Sequence, residues 1–369
     1  LESIKFCYKG IYSLIEKIFL DGVRALPLQE RSFSSGITVF CGHNGCGKTS
    51  LLESIFLMSQ GFSFRTRDLK SLISWEKQES ILRAELSGIT TSSTRALRIT
   101  KDSLTIKKDG ELCRSLASFF GGFPAVMMQP SDIELVRGAP EIRRRWLDEI
   151  LCFQSDKNAN LLRRYRRVLS QRNEWLHGFK QGKAIGGEDV FVVLSQQLVS
   201  LGAALWKERF LLAKRLSELI PEYYDRLSNG QDKVHCSYRS AVSEIDSIEE
   251  KFFELLEKNE ESERRLGITL VGPHKDDFIL WLSDYEMRPI GSQGQCRSAA
   301  IAMRLSAIDI ANSTSLLPIL LLDDILAELD SNRRIAVSEL IREKKCQVFV
   351  ATPQVDDLPF SPDDVISLG

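Results

Sequence analysis

The order of apolar and polar positions first predicts short strands. Runs that alternate, or that are apolar throughout, are typical of β-structure. They lie at Ile15–Leu20, Ile37–Cys41, Ile81–Leu86 and Leu97–Thr100. Helical spacing at Leu51–Gln60, between the second and third runs, predicts a helix. This mixture is typical of an α/β region that also carries an antiparallel sheet.

After Pro140 the apolar positions recur at helical spacing, and Gly and Pro are almost absent from the segment interiors. Three long helices are predicted, at Glu141–Phe153, Asn158–Lys180 and Asp189–Leu227. Later elements alternate between strands and helices. The strands are predicted at Gly267–Val271, Phe278–Leu282, Ile319–Leu322 and Gln347–Val350, and the helices begin near Gln295 and Asn332. The pattern predicts one α/β domain made of residues 1–140 and 266–369, interrupted by a helical insertion at 141–265.

Composition excludes several classes. Hydrophobic residues make up 43% and charged residues 27% of the 369 positions, as in ordinary soluble domains. The longest apolar stretches, such as Leu316–Leu322, are strand-sized, so no membrane partner is expected. The first residues have no apolar signal core, and we expect a cytoplasmic protein. The 8 cysteines show no zinc-ligand spacing and are expected to be free thiols.

A phosphate-binding loop is the strongest chemical signal. The sequence Gly42-His43-Asn44-Gly45-Cys46-Gly47-Lys48-Thr49 satisfies G-x-x-x-x-G-K-[ST] between a predicted strand and a predicted helix. Its glycines let backbone amides turn towards an anion at a helix N-terminus. Lys48 would neutralise the β- and γ-phosphates of ATP, and the Thr49 hydroxyl would ligate Mg²⁺.

Two acids follow the apolar run that begins at Pro318. A buried strand that ends in carboxylates places them at the edge where α/β sheets bind ligands. Asp323 would hold Mg²⁺, directly or through water, and Asp324 would orient or deprotonate the attacking water. Two acids that merely cap a strand are the alternative, which the phosphate loop makes much weaker.

Two later motifs resemble those of ABC-type ATPases. Gly291–Gln295 resembles the signature loop, in which Ser292, Gly294 and Gln295 are candidate nucleotide contacts. Ala327–Asp330 resembles the D-loop, and as in that class the signature precedes the strand with the paired acids. Such heads dimerise, and the signature loop closes the partner's nucleotide site.

More specifically, the chain resembles the RecF family, bacterial recombination-mediator ATPases related to the heads of SMC proteins. Six segments carry the resemblance in family order: Gly42–Thr66, Gln129–Ile150, Tyr165–Leu176, Gly272–Phe278, Gly291–Ser298 and Leu321–Arg334. Departures are Ser131 in place of an acid, Cys46 in the phosphate loop, and the residues beside Arg24. None removes an atom that phosphate binding needs.

The resemblance implies an ATP- and Mg²⁺-dependent homodimer that binds double-stranded DNA near gaps. RecR and RecO are the implied partners, and RecA is loaded onto single strands indirectly. Gln129 would lie in the Q-loop and Asp330 would be the D-loop acid. Thr352 stands where transporters carry a switch histidine, so slow, DNA-stimulated hydrolysis is expected.

Charge predicts where DNA would bind. Arg137–Lys183 holds 12 basic and 5 acidic residues, and Glu244–Arg264 holds 9 acidic and 3 basic. Arginine clusters suit phosphate contacts without base readout. The candidates are Arg143, Arg144, Arg163, Arg166, Arg167 and Arg172. The alternative is a solvated helix face that pairs with the acidic segment, and at least one of Arg143–Arg145 is expected to be structural because these side chains point about 100° apart.

Other functions remain as alternatives. One is the SMC-like head of another DNA-processing complex. A nuclease-linked ATPase would need an acidic metal-binding domain, for which a helical insertion leaves little room, and a transporter motor would need the missing histidine. A DNA clamp with negligible ATPase activity would keep the same catalytic acids.

Overall fold

In this computed structural model the described residues are 14–66, 68–87, 92–113, 124–183, 186–243, 246–312, 318–356 and 358–368. The chain forms two compact units. Unit 1 comprises the residues up to Asp132 and those from Arg304 onward, and unit 2 comprises Ile133–Met303. The units differ from the segments expected from the sequence, because residues 133–140 and 266–303 group with the helices of unit 2.

A five-stranded parallel sheet is the centre of unit 1, in the order β14-β3-β13-β12-β8. Its strands are β3 (Ile37–Cys41), β8 (Ala125–Met128), β12 (Ile319–Asp323), β13 (Val348–Thr352) and β14 (Asp364–Ser367). Strands β8, β12 and β13 are buried along their whole length, as continuous apolar runs in a covered parallel sheet should be. Because the strands are parallel, all their carboxyl ends lie at one edge.

An antiparallel sheet of order β2-β1-β4-β5-β6-β7 forms the second layer of unit 1. Its strands are β1 (Leu14–Asp21), β2 (Gln29–Ser32), β4 (Glu79–Ser87), β5 (Ser92–Thr100), β6 (Leu104–Lys108) and β7 (Glu111–Leu112). Helix α1 (Lys48–Gln60) contacts strands of both sheets, and 11 of its 13 residues are buried. A helix covered on both sides has no exposed polar face, so most of its residues are buried, polar ones included.

Unit 2 combines helices with a small antiparallel sheet of order β11-β10-β9. Its helices are α2 (Glu134–Arg137), α3 (Pro140–Gln154), α4 (Asp156–Lys180), α5 (Glu188–Ser228), α6 (Ile248–Leu266) and α7 (Met287–Ile290). Its strands are β9 (Val234–Arg239), β10 (Asp277–Leu282) and β11 (Tyr285–Glu286). The three long predicted helices are confirmed. The insertion is not helical throughout, however, because β9 lies inside it and pairs with β10.

Two helices complete the described part of the chain, together with short 3₁₀ turns. Helix α8 (Gln293–Asn312) begins in unit 2, and the division falls inside it after Met303. Helix α9 (Ser331–Glu343) belongs to unit 1. The turns are Leu69–Leu72, Pro130–Ile133, Pro273–Lys275 and Ile325–Glu328.

The strand predicted at Gly267–Val271 is wrong, because this segment is irregular. Its amides are satisfied by side chains instead of a neighbouring strand. The N–H of Thr269 donates to Oδ1 of Asn173 at 2.8 Å, and the N–H of Leu270 donates to Oε1 of Glu263 at 2.8 Å. The alternating apolar residues of this segment therefore do not belong to a sheet.

Helix α5 is the one described helix that is long and apolar enough to cross a membrane by length and composition, with a mean hydropathy of 1.4 over 18 residues. Core helices of globular domains have the same properties. Leu198, Trp206 and Leu212 are buried in this helix, which contacts α4, α6 and β9. Arg209, farther along, is buried and ion-paired to Asp148 at 2.6 Å. We interpret α5 as the core helix of unit 2.

Candidate nucleotide-binding site

The phosphate loop joins β3 to α1 at the carboxyl edge of the parallel sheet. Gly47 ends the loop with φ at 102°, and a Cβ added there would lie 2.4 Å from Cδ2 of Leu26. Glycine is therefore required at this position. Among the described residues, no side chain caps the start of α1. The first amides of the helix are thus open to an anion.

Lys48 is held over this loop. Its ammonium donates to the carbonyl oxygens of Gly42 at 2.7 Å and His43 at 3.0 Å, and the residue is only 4% exposed. His43, Asn44 and Gly45 form the exposed part of the loop. A buried cation beside open amides favours a bound polyphosphate.

Thr49 and Asp323 form a pair that fits Mg²⁺. The Thr49 hydroxyl donates to Oδ1 of Asp323 at 3.0 Å. Two neighbouring ligands in the octahedral shell of Mg²⁺, each about 2.1 Å from the ion, lie about 3 Å apart. Burial raises the pKa of Asp323, so a cation that replaces its lost hydration is favoured there. The residues present therefore fit the metal.

Asp324 offers an oxygen for a water molecule. Its φ is 51°, and its N–H donates to the carbonyl of Ala351 at 3.1 Å, which fixes the backbone at the end of β12. Its Oδ1 is buried and has no hydrogen-bond partner among the described residues. Burial raises the pKa of Asp324, as a general base requires. The side chain is thus suited to accept a proton from water.

Glu53, which the sequence analysis missed, anchors the surroundings of the phosphate loop. It is fully buried on α1 and accepts two hydrogen bonds from Arg24, at 2.6 and 2.9 Å. Ser63 also donates to it, and Arg65 lies 3.4 Å away. The signal in the sequence was an acidic residue just before the apolar run Ile55–Met58 of the helix after the loop. Because its charge is compensated by Arg24, Glu53 ties α1 to the segment after β1.

Gln129 lies at the end of β8, at the same edge as Asp323. Its N–H donates to Oδ2 of Asp132 at 3.0 Å, and Asp132 also accepts two hydrogen bonds from Arg304, at 2.7 and 3.2 Å. This ion pair is another feature that sequence reasoning missed. It holds the backbone of the expected Q-loop. The coupling of Gln129 to the insertion stays a prediction.

Asp330 lies at the start of helix α9, and Thr352 lies at the end of strand β13. Asp330 caps α9 by accepting from the N–H of Arg333 and pairs with that guanidinium at 2.7 Å. Thr352 ends β13, the strand between β3 and β12, and its hydroxyl donates to the carbonyl of Gln354 at 3.1 Å. Their roles in dimerisation and slow hydrolysis stay predictions.

The signature-like loop lies in unit 2, at the start of α8. Its first residue needs to be glycine, because a Cβ on Gly291 would lie 2.8 Å from Sγ of Cys296. The Gly291 carbonyl accepts from Nη2 of Arg137 at 2.8 Å. Ser292 is exposed, and Gly294 and Gln295 are half-buried. The loop therefore presents a hydroxyl at a helix N-terminus, where an anion binds well.

Two of the six arginines predicted to bind DNA are structural, and that part of the prediction is wrong. Arg143 is 3% exposed and pairs with Asp277 through two hydrogen bonds, at 2.7 and 2.9 Å. Arg172 is 1% exposed and pairs with Glu263 at 2.7 Å. A buried guanidinium that compensates a buried carboxylate is not available to a phosphate. The expectation that one of Arg143–Arg145 is structural is confirmed.

The other four arginines predicted to bind DNA lie on unit 2 and are at least partly accessible, and we call them, together with Lys275, its basic surface. Arg163, Arg166 and Arg167 are exposed on α4, and Arg166 pairs with Asp148 at 2.9 Å. Arg144 is half-buried on α3 and donates to the carbonyl of Asp276 at 2.7 Å. Lys275, which sequence reasoning missed, is also exposed. Burial first, and then the charges of Lys275 and Arg144, lower the pKa of His274, so both cations lie near this ring.

Comparison with known proteins places the chain in a family. The family profile described as RecF/RecN/SMC N terminal domain matches residues 14–120. The DNA replication and repair protein RecF of Halalkalibacterium halodurans is 32% identical over 93% of this chain and 94% of its own length. RecF of Clostridium kluyveri is 32% identical over 91% and 92%. The chain belongs to the RecF family.

Solved structures agree with this assignment. A structure of the recombination mediator protein RecF with ATP, in the RecFOR pathway, has a TM-score of 0.89 and 29% identity, covering 99% of this chain and 98% of that one. An Smc head from Pyrococcus furiosus has a TM-score of 0.58 at 16% identity, covering 96% and 93%. The Smc match shows a shared fold only. The predicted fold, an ABC/SMC-like ATPase head with an inserted helical domain, is confirmed, apart from strand β9 within the insertion.

Proposed function

We propose that this RecF-family protein is an ATP-dependent DNA-binding protein of recombinational repair and replication-fork maintenance, acting in the cytoplasm. The observation that carries the proposal is the pair formed by Thr49 and Asp323, with Lys48 over the phosphate loop. This arrangement supports binding of ATP with Mg²⁺. The solved RecF structure with ATP, 29% identical, supports the same ligand.

In this proposal two chains dimerise and bind two ATP molecules at their interface. Lys48 and the amides at the start of α1 hold the phosphates, and Thr49 and Asp323 hold Mg²⁺, which supplies charge neutralisation when it is bound. The partner's Ser292 completes each site, because its hydroxyl and the start of α8 suit a γ-phosphate. The exposure of Ser292 and the cap-like contacts of its loop support this arrangement.

Hydrolysis then opens the dimer. Asp324 takes a proton from water as the water oxygen bonds to the γ-phosphorus, and the bond from that phosphorus to the bridging oxygen of ADP breaks. The buried, unpaired Oδ1 of Asp324 supports this role. Thr352 in place of a switch histidine supports a slow reaction.

Double-stranded DNA near gaps binds to the basic surface formed by Arg144, Arg163, Arg166, Arg167 and Lys275. Four of these side chains are exposed and Arg144 is half-buried, and guanidinium and ammonium groups support phosphate contacts that do not depend on sequence. The placement of the RecF–ATP structure in the RecFOR pathway supports RecO and RecR as partners, which would assist RecA loading.

The test is ATP turnover with and without gapped duplex DNA, with sedimentation in parallel. We expect slow turnover that DNA stimulates and a dimer that forms only with ATP. Ser292→Arg should keep ATP binding and lose both dimer and turnover, because the larger cationic side chain blocks the composite site. Undiminished turnover of Ser292→Arg would refute the composite site. ATP-dependent dimerisation without turnover would identify a clamp that does not hydrolyse ATP.

A further inference from the structure

The Gln295 side chain bridges two parts of unit 2. Its Oε1 accepts from the N–H of Ser292 at 2.9 Å, and its Nε2 donates to Oδ2 of Asp232 at 3.0 Å. In return, Oγ of Ser292 accepts from the N–H of Gln295 at 3.2 Å. These two reciprocal bonds form a capping box at the start of α8. Gln295 therefore determines the conformation of the loop that carries Ser292.

Asp232 decides how the Gln295 amide is oriented. A carboxylate only accepts hydrogen bonds, so it must face the NH₂ group of the amide. The carbonyl oxygen of the amide is then left for the N–H of Ser292. With the amide reversed, an NH₂ group would oppose the Ser292 N–H and the carbonyl would oppose Asp232. Asp232 thus excludes the orientation that would break the capping box.

Asp232 is itself held by helix α5. Oδ2 of Asp232 accepts from the hydroxyl of Tyr224 at 3.2 Å, and Tyr224 is 1% exposed. A buried aromatic ring on a long packed helix is a rigid support for this contact. The Tyr224–Asp232–Gln295 network therefore joins α5 to the signature-like loop.

The network also determines what the Ser292 hydroxyl can do. One lone pair of Oγ is used by the N–H of Gln295, so the hydroxyl hydrogen is available to donate to an acceptor outside the loop. A phosphate oxygen of a nucleotide bound by a partner chain is such an acceptor.

We propose that Asp232 is a positioning residue of the composite ATP site, which orients Gln295 and through it the Ser292 donor, with Tyr224 as its support. This inference rests on the proposed function, since the site is composite only if two chains dimerise on ATP. Asp232 does not touch the nucleotide in this arrangement and acts through Gln295 alone.

The experiment compares Asp232→Ala, Asp232→Asn and Tyr224→Phe in the full chain by sedimentation with a non-hydrolysable ATP analogue. Loss of a hydrogen bond to a carboxylate weakens an interaction about tenfold, and a two-fold dimer contains the change twice. We therefore expect Asp232→Ala to raise the dissociation constant of the dimer about a hundredfold. Asp232→Asn retains an acceptor oxygen and should restore most of the affinity, and Tyr224→Phe should lie between these two.

Three further measurements separate positioning from a merely structural role. The affinity of the monomer for a fluorescent ATP analogue and the midpoint of urea unfolding should be the same in Asp232→Asn as in the unchanged protein, and monomer affinity should also be unchanged in Asp232→Ala. Asp284→Ala, which removes an exposed aspartate of the same unit, is the matched control and should dimerise normally. Normal dimerisation of Asp232→Ala, or equal losses in the Ala and Asn variants, overturns the proposal.

Ser292→Arg, measured in the same series, separates the two proposals. If Ser292→Arg abolishes dimerisation and Asp232→Ala does not, only the role of Asp232 fails. If Ser292→Arg also dimerises normally, the composite site itself fails.

Discussion

The hydroxyl of Tyr165 lies 2.7 Å from Nδ1 of His274, whose Nε2 lies 3.1 Å from the carbonyl oxygen of Thr269. A carbonyl only accepts, so Nε2 carries the ring hydrogen and Nδ1 accepts from Tyr165. Nδ1 accepts only in a neutral ring, whereas the bond from Nε2 to Thr269 forms in either charge state. The pKa of His274 is lowered to about 4, mainly by burial and to a smaller extent by the charges of Lys275 and Arg144.

Acid should therefore destabilise the protein through His274. Its pKa in the folded state lies below the value of about 6.5 in an unfolded chain, so its contribution is complete above pH 6.5 and is lost as the pH falls towards 4. Because one unit of pKa corresponds to about 1.4 kcal/mol, the loss is about 3 kcal/mol at most. Burial raises the pKa of the neighbouring Asp276 to about 6, which acts in the opposite direction.

His274→Gln isolates this contribution, because glutamine can make both hydrogen bonds without titrating and Asp276 is present in both proteins. Urea unfolding at several pH values is the measurement. The stability difference between the two proteins should change by up to about 3 kcal/mol between pH 6.5 and pH 4, in favour of the variant at low pH. A difference that is independent of pH would contradict a neutral, half-buried histidine.

Lys48→Ala should abolish nucleotide binding. The ammonium is the one buried cation placed over the phosphate loop within the described residues, and we expect its loss to weaken binding about a hundredfold or more. Titration with a fluorescent ATP analogue measures this effect. Lys101→Ala, which removes an exposed lysine of the same unit, should bind normally. Binding by Lys48→Ala within tenfold of normal would contradict the assigned site.

Asp324→Asn should bind ATP normally and hydrolyse it about a hundredfold or more slowly, because the amide does not accept a proton from water. Single-turnover hydrolysis and equilibrium binding distinguish the two steps. Since opening needs hydrolysis, ATP should also keep this variant dimeric for longer in sedimentation. Normal turnover would show that another group activates the water.

The arginines should separate into two groups. Arg143→Ala leaves Asp277 buried without its partner and should cost about 3 kcal/mol or more in the free energy of unfolding. Arg163→Ala and Arg167→Ala should change stability by less than about 0.5 kcal/mol and weaken DNA binding. In a plot of the logarithm of DNA affinity against the logarithm of salt concentration, each lost phosphate contact should reduce the slope by about one unit. Unchanged DNA affinity in both surface variants would show that DNA binds at another surface of the protein.

Gly202→Ala tests the packing of unit 2. A Cβ at Gly202 would lie 2.5 Å from Cε1 of Phe252 and 3.2 Å from Cε2 of Tyr165, so α4, α5 and α6 meet closely at this glycine. Overpacking should outweigh the higher helix propensity of alanine and destabilise by about 1–3 kcal/mol. Gly187→Ala, where nothing lies within 4 Å of the new Cβ, is the control. A more stable Gly202→Ala variant would contradict this close approach.

Local patterns were sufficient for most of the helices and strands and for the chemical core of the site. The phosphate loop needs a fixed spacing of glycines before Lys48, and Asp323 needs a strand before it, so both are visible in a short window of sequence. The long helices follow from the spacing of their apolar residues. In each case the responsible residues are neighbours along the chain.

What sequence could not show depends on partners far apart in the chain. Arg143 and Arg144 look equivalent, but only Arg143 meets the buried carboxylate of Asp277, 134 positions later. The Gly267–Val271 prediction failed for a related reason, because side chains from α4 and α6 bind its amides. Neither pairing leaves a periodic signal.

Unit 1 is made of two separate stretches of the chain, so it cannot be completed until the end of synthesis on the ribosome. Strand β3 and the phosphate loop emerge early, but their neighbours β13 and β14 are made only after all of unit 2. Unit 2 is continuous, so it is able to fold first. Until β13 has been synthesised, one edge of β3 has no neighbouring strand. During this interval the unpaired edge of the nascent protein is most able to pair with a strand of another chain.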